Sequence, residues 1–106
     1  MSGLSEVGFL GLSGALVAVG LFGILTRRNF ILILVAIEVA MNAAILNFVY
    51  FAAYAPTASG GLSGQAIAVV LVGFAATEVA VGLAIVLALN RAKGTINVAE
   101  ATELRL

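Results

Sequence analysis

The chain has 106 residues, 63% of them hydrophobic and 9% charged, and its five basic residues balance five acidic ones. Soluble domains carry about 45–50% apolar and about 25% charged residues, so this composition points away from water and into a bilayer. With no Cys and no His, the chain cannot hold thiolate-bound iron–sulfur clusters or a disulfide and lacks the commonest haem and zinc ligand, and zero net charge supplies no field for nucleic acid.

A bilayer core about 30 Å thick takes roughly 20 apolar residues per helical span, so a chain of this length has room for three spans and little else. The first runs over residues 7–25 and contains no charge. It follows a start without a basic region or cleavage site, which argues against a cleaved signal peptide. Glu6, just before it, suits the positive end of a helix. Within the span, Gly11 with Ala15 and Gly14 with Ala18 have the small-xxx-small spacing that lets helix backbones approach in lipid.

Thr26-Arg27-Arg28-Asn29 separates this run from a second, residues 30–54, which is apolar except for Glu38, Asn42 and Asn47. Phe48, Tyr50, Phe51 and Tyr54 cluster near its far end, at the level where amphipathic rings meet headgroups. Residues 55–64 contain the only proline and three glycines and read as a loop. The third span covers residues 65–89, interrupted only by Thr77 and Glu78, and Asn90-Arg91-Ala92-Lys93-Gly94 opens a tail over residues 90–106.

Near-continuous apolar runs of this length predict helices, because barrel strands would alternate with period two over about ten residues. The fold class expected is therefore all-α: a single unit of three transmembrane helices. The loop between spans one and two carries Arg27 and Arg28, the flank after span three carries Arg91 and Lys93, and the intervening loop carries no Lys or Arg. This distribution predicts an amino terminus outside and a carboxyl terminus in the cytoplasm. In the tail, Asn97 with Glu100 resembles a helix start, and Val98, Ala101 and Leu104 could share one face of a short docking segment; a frayed tail is the equal alternative.

Glu38 and Glu78 are the candidate functional residues. An acidic side chain at the centre of a membrane helix costs roughly 2.5–3.5 kcal/mol on insertion scales, and such residues usually face protein or water. Counted from the arginine flanks at 1.5 Å per residue, Glu38 lies about 15 Å beyond Arg28 and Glu78 about 20 Å beyond Arg91, so both fall near the midplane. Desolvation disfavours the charged form, and carboxylates at matched depth on neighbouring helices, linked by one or two waters, could exchange protons. The competing role is structural, with each glutamate hydrogen-bonded to a neighbouring helix. Such bonds contribute only about 0.6 kcal/mol on average, less than the insertion cost.

Asn42 lies one turn after Glu38 and could orient it or hold water, whereas Asn47 lies nearly opposite on the helical wheel and should face another partner. A hydroxyl at Thr77 is expected to bond its own helix backbone. Arg27 and Arg28 are topology signals and headgroup anchors, or shape the cytoplasmic mouth of a proton route.

Arg27-Arg28-Asn29-Phe30, Ile37-Glu38-Val39, Met41-Asn42-Ala43-Ala44, Gly64-Gln65, the run from Ala75 through Thr77-Glu78-Val79 to Ala84, and the closing Glu103-Leu104-Arg105 resemble the K-subunit family of proton-pumping NADH:quinone oxidoreductase, respiratory complex I. The resemblance spans nearly the whole chain. It implies a subunit embedded among antiporter-like and quinone-site connecting subunits, with Glu38 and Glu78 matching the family's two intramembrane carboxylates in proton transfer, and Arg27 and Arg28 its basic loop pair. It also implies that this chain binds no cofactor, with NADH, FMN, iron–sulfur clusters and quinone held by other subunits. Two other classes remain open: a small subunit of a multi-subunit cation/proton antiporter, and a purely structural assembly subunit. The richness in Ala, Val and Gly and the lack of a transit peptide suggest a prokaryotic plasma membrane.

Overall fold

The computed structural model describes residues 3–54 and 57–101. Three helices account for most of them: α1 (Gly3–Thr26), α2 (Phe30–Ala53) and α3 (Ala58–Lys93). Each is long and apolar enough to cross a membrane, and in hydrocarbon a helix satisfies every backbone polar group within its own segment.

Local chemistry sets the ends. Only Arg27, Arg28 and Asn29 separate α1 from α2, and the Asn29 side chain caps α2 by accepting from the amides of Ile31 at 2.9 Å and Leu32 at 3.4 Å. Thr57 caps α3 by accepting from Gly60 N at 3.2 Å. Gly94 terminates α3 in the left-handed region at φ 69°, its amide donating to Asn90 O at 2.7 Å.

The loop expected over residues 55–64 is corrected, because α3 already begins at Ala58 and takes in Gly60, Gly61 and Gly64. Turn chemistry misleads there for a packing reason. A Cβ built on Gly64 would stand 2.7 Å from Ala52 Cβ, so glycine is what lets the two backbones approach at that point. The other end of α3 also overruns its apolar span, through Asn90 and Arg91 to Lys93. At 36 residues, the helix measures roughly 54 Å, well beyond a hydrocarbon core of about 30 Å.

Among the described residues the three helices form a row, with α2 packed against both α1 and α3 and no close approach of α1 to α3. On the α1 side, a Cβ on Gly20 would fall 2.7 Å from Ala40 Cβ and 2.9 Å from Ala36 O, and one on Gly23 2.6 Å from Ala36 Cβ. The glycines that bring α1 onto α2 are thus Gly20 and Gly23, while Gly11 and Gly14 of the expected small-residue motif face open space. Tyr50 belongs to this seam too. Its ring stacks on Phe9 with centroids 4.0 Å apart, so it is buried against α1 and does not share the exposed belt of Phe51 and Tyr54.

Beyond α3 the chain doubles back along the α1–α2 loop. Phe30 N donates to Ile96 O at 2.8 Å and Val98 N to Arg28 O at 2.6 Å, pairing Asn29 with Asn97 in an antiparallel bridge. Of the two readings of the tail, docking and fraying, the described residues follow the first, with a different internal pattern. Asn97 Oδ1 accepts from Ala99 N, and the Glu100 carboxylate accepts from the Thr95 hydroxyl at 2.6 Å, giving a turn where a helix start was expected. Leu104 and the closing Glu103-Leu104-Arg105 lie outside the described residues.

Candidate functional site: two carboxylates across one helix seam

The register of α2 on α3 follows from two close contacts. A Cβ on Gly82 would meet Leu34 Cδ1 at 2.7 Å, and one on Gly64 would meet Ala52. Ala52 lies 18 residues after Leu34 and Gly64 lies 18 before Gly82, so the helices run antiparallel in constant register for about five turns. Four residues on from Leu34 is Glu38, and four back from Gly82 is Glu78. The two carboxylates therefore stand at the same level of the seam, at the matched depth that counting from the arginine flanks predicts.

Rotation around each axis separates them. At about 100° per residue, each glutamate is about 40° round from its register contact, and right-handed helices carry both in the same sense when viewed along a common axis. Facing helices turned in the same sense diverge, so the carboxylates leave the contact line on opposite flanks. The linings of the neighbouring hollows agree. Glu38 borders a cavity of about 270 Å³ with Leu34, Val35 and Val39 from α2 and Val79 and Leu83 from α3, and Glu78 is not among its walls. On the other flank, Ile33 and Ile37 line a second hollow with Ile85.

Both glutamates are half-buried. The Glu38 Oε2 atom is fully buried and has no hydrogen-bond partner, in surroundings that are aliphatic. A buried polar atom left unpaired costs about 1–3 kcal/mol, and more if charged.

The remaining candidates fall at several places. Asn42 is exposed one turn beyond Glu38. Arg27 and Arg28 are exposed on the short loop, and Arg27 borders the α1–α2 groove with Phe22, Leu32 and Val35. The Thr77 hydroxyl donates to Gly73 O at 2.9 Å, within its own helix as expected. Asn47 turns away from Glu38 toward α1, where its Nδ2 donates to Ser13 Oγ at 2.7 Å and the Ser13 hydroxyl in turn donates to Ala43 O at 3.4 Å. Ser13, only 4% exposed, went unremarked in the sequence because a lone serine among glycines gives no signal there.

The fold and site define a multi-pass membrane protein that carries a level pair of intramembrane carboxylates on adjacent helices. Residues 8–106 match the family profile described as NADH-ubiquinone/plastoquinone oxidoreductase chain 4L, and the chain belongs to that family. Its relatives include proteins named NADH-quinone oxidoreductase subunit K. The one from Anaeromyxobacter sp. (strain K) is 45% identical and aligns over 87% of this chain and 89% of its own length. That of Deinococcus radiodurans is 43% identical over 92% and 90%, and that of Thermomicrobium roseum 41% identical over 99% of both.

Proposed function

We propose that the chain is the K-type membrane-arm subunit of a proton-translocating NADH:quinone oxidoreductase, and that Glu38 and Glu78 pass protons within it. The observation that carries this reading is the constant α2–α3 register, which holds two carboxylates level in otherwise apolar helices. Because they open on opposite flanks, a proton accepted on one side of the α2–α3 seam can leave on the other. The pair thus links two neighbours in a lateral chain of polar groups, with water or a partner side chain completing each step.

Quinone reduction in other subunits changes the hydration and field around the carboxylates and drives the transfer. NADH, FMN, iron–sulfur clusters and quinone are held by those subunits, and this chain contributes no redox group. Antiporter-like and quinone-site connecting subunits flank it in the bilayer. The amino terminus faces outward, and Arg27, Arg28 and the docked tail face the cytoplasm of a prokaryotic cell, with the arginine pair at the cytoplasmic mouth of the route.

The test is Glu38→Gln, Glu78→Gln and the double variant in the assembled enzyme, with electron transfer and proton pumping measured together. Glutamine keeps the shape and hydrogen bonding but holds no transferable acidic proton. The expected outcome is assembled complexes whose pumping falls steeply in each single variant and further in the double. Parent stoichiometry and rate in all three would overturn the relay. Poor assembly with normal pumping in the surviving complexes would assign the pair to structure.

A further inference from the structure

The outer groove between α1 and α2 has small residues at its floor and a cation at its mouth. The floor is Gly23 against Ala36, where a Cβ on the glycine would stand 2.6 Å from the Ala36 methyl, and the walls include Val19, Phe22, Leu32 and Val35. The groove holds about 320 Å³, and Val19, Phe22 and Val35 are each more than half exposed. Arg27 is the one charged residue that lines it. From Arg27 down to Val19 is about 12 Å of helix, against about 15 Å for half of a hydrocarbon core. The groove therefore runs from the headgroup level through most of one leaflet.

The exposed Arg27 guanidinium has no carboxylate to meet within the chain. Among the described residues it makes no ion pair, and the one described acidic residue at this end, Glu100, accepts from the Thr95 hydroxyl. The loop that carries Arg27 is itself fastened, since Val98 N donates to Arg28 O at 2.6 Å and Phe30 N to Ile96 O at 2.8 Å. A fixed cation at the headgroup level, with apolar surface below it, reproduces the order of charge and hydrocarbon in a phospholipid. An arginine fork also matches phosphate oxygens in two parallel bonds. A helix of another subunit would have to bring its own carboxylate to this level, where every phospholipid already presents a phosphate.

We infer that the α1–α2 groove is the seat of one anionic phospholipid from the leaflet at the Arg27 end, with an acyl chain between Val19, Phe22 and Val35 and its phosphate on the Arg27 guanidinium. The acyl chain supplies contacts that the walls of an empty groove would lack. Anionic headgroups are preferred over zwitterionic ones because Arg28, Arg91 and Lys93 stand at the same end of the helices, and each basic residue near the membrane surface favours anionic lipid by roughly fivefold. The assignment goes beyond proton transfer by the glutamates and depends only on the chain lying in a bilayer.

The experiment uses the intact complex in phosphatidylcholine vesicles that contain a phosphatidylglycerol with a diazirine in one acyl chain. After illumination, adducts on this chain are mapped by mass spectrometry. The expected product lies within residues 19–23 or 32–36 and is competed away by unlabelled phosphatidylglycerol, but not by equal amounts of phosphatidylcholine or of inorganic phosphate. Its yield should fall roughly fivefold in Arg27→Gln and less in Arg28→Gln. It should also fall in Val19→Phe, which narrows the groove and keeps the charge. The competition on the parent complex decides the matter even if a variant assembles poorly. No adduct in the groove, equal competition by phosphatidylcholine, displacement by inorganic phosphate, or an unchanged yield in Arg27→Gln would overturn the inference. So would a cross-link to another subunit from p-benzoylphenylalanine in place of Phe22, since a protein helix would then fill the groove. Pumping by the Glu38→Gln and Glu78→Gln enzymes is a separate readout, so either reading can fail alone.

Discussion

The α1–α2 and α2–α3 seams use the same small-residue chemistry and end up as different kinds of contact. Against α1, glycines meet backbone: Gly20 faces Ala36 O and Ala40 N as well as the Ala40 methyl, and Ser13 and Asn47 close a polar clasp above them. Against α3, Gly64 also comes close to the Ala52 backbone at one end of the seam, but Gly82, one turn from Glu78, meets only the tip of the Leu34 side chain, and beside that contact lies a cavity bordered by Glu38. The first seam is tight at Gly20 and Gly23 and tied by the Asn47–Ser13 hydrogen bond, with Asn47 Oδ1 left unpaired. The other keeps register but leaves room beside Glu38, whose Oε2 is unpaired.

The largest effect expected from breaking this contrast is at Gly20. In Gly20→Ala the new methyl has no soft neighbour to displace, so α1 must move off α2. Overpacking of this kind costs about 1–3 kcal/mol. Retention of the chain in the assembled complex, followed by native electrophoresis and thermal challenge, should drop clearly. A control at Gly11, where a methyl would enter open space within this chain, separates the internal seam from contacts made to other subunits.

The same contrast explains what was legible in the sequence. Spans could be read because hydropathy records the solvent, and Glu38 and Glu78 because charges stand out in apolar helices. Their matched depth followed from counting residues. Their opposite flanks did not, since rotation about the axis is fixed by Leu34 on Gly82 and Ala52 on Gly64, contacts between residues distant in sequence. The early start of α3 was hidden because glycine signals a turn locally and a close helix contact globally. Ser13 was invisible for a related reason, since its role exists only once Asn47 faces it. Asn97 and Glu100 left the tail open between docking and fraying, because its pairing with Arg28 and Phe30 uses backbone groups that every residue carries.

A smaller effect is expected at Ser13. Ser13→Ala removes two intramembrane hydrogen bonds, the one from Asn47 Nδ2 and the longer one to Ala43 O, worth about 0.6 kcal/mol each on average, and leaves the helices free to pack as before. The complex should assemble and pump normally, with its thermal transition lowered slightly. A loss as large as that of Gly20→Ala would mean that the polar clasp, and not the glycine contact, holds α1 in place.

The smallest effect is expected at Gly82. Its added methyl would press on Leu34 Cδ1 at 2.7 Å and Cδ2 at 3.0 Å, the flexible end of a side chain that already borders the cavity beside Glu38. Leucine can change rotamer into that space, and the gain of up to about 1 kcal/mol in helix propensity on replacing glycine offsets part of the crowding. Gly82→Ala should therefore leave assembly near that of the parent while narrowing the cavity, so its signature belongs in pumping rate and not in stability. If Gly82→Ala instead dismantles the complex as Gly20→Ala does, the α2–α3 seam is as rigid as its neighbour, and the room beside Glu38 has no part in moving protons.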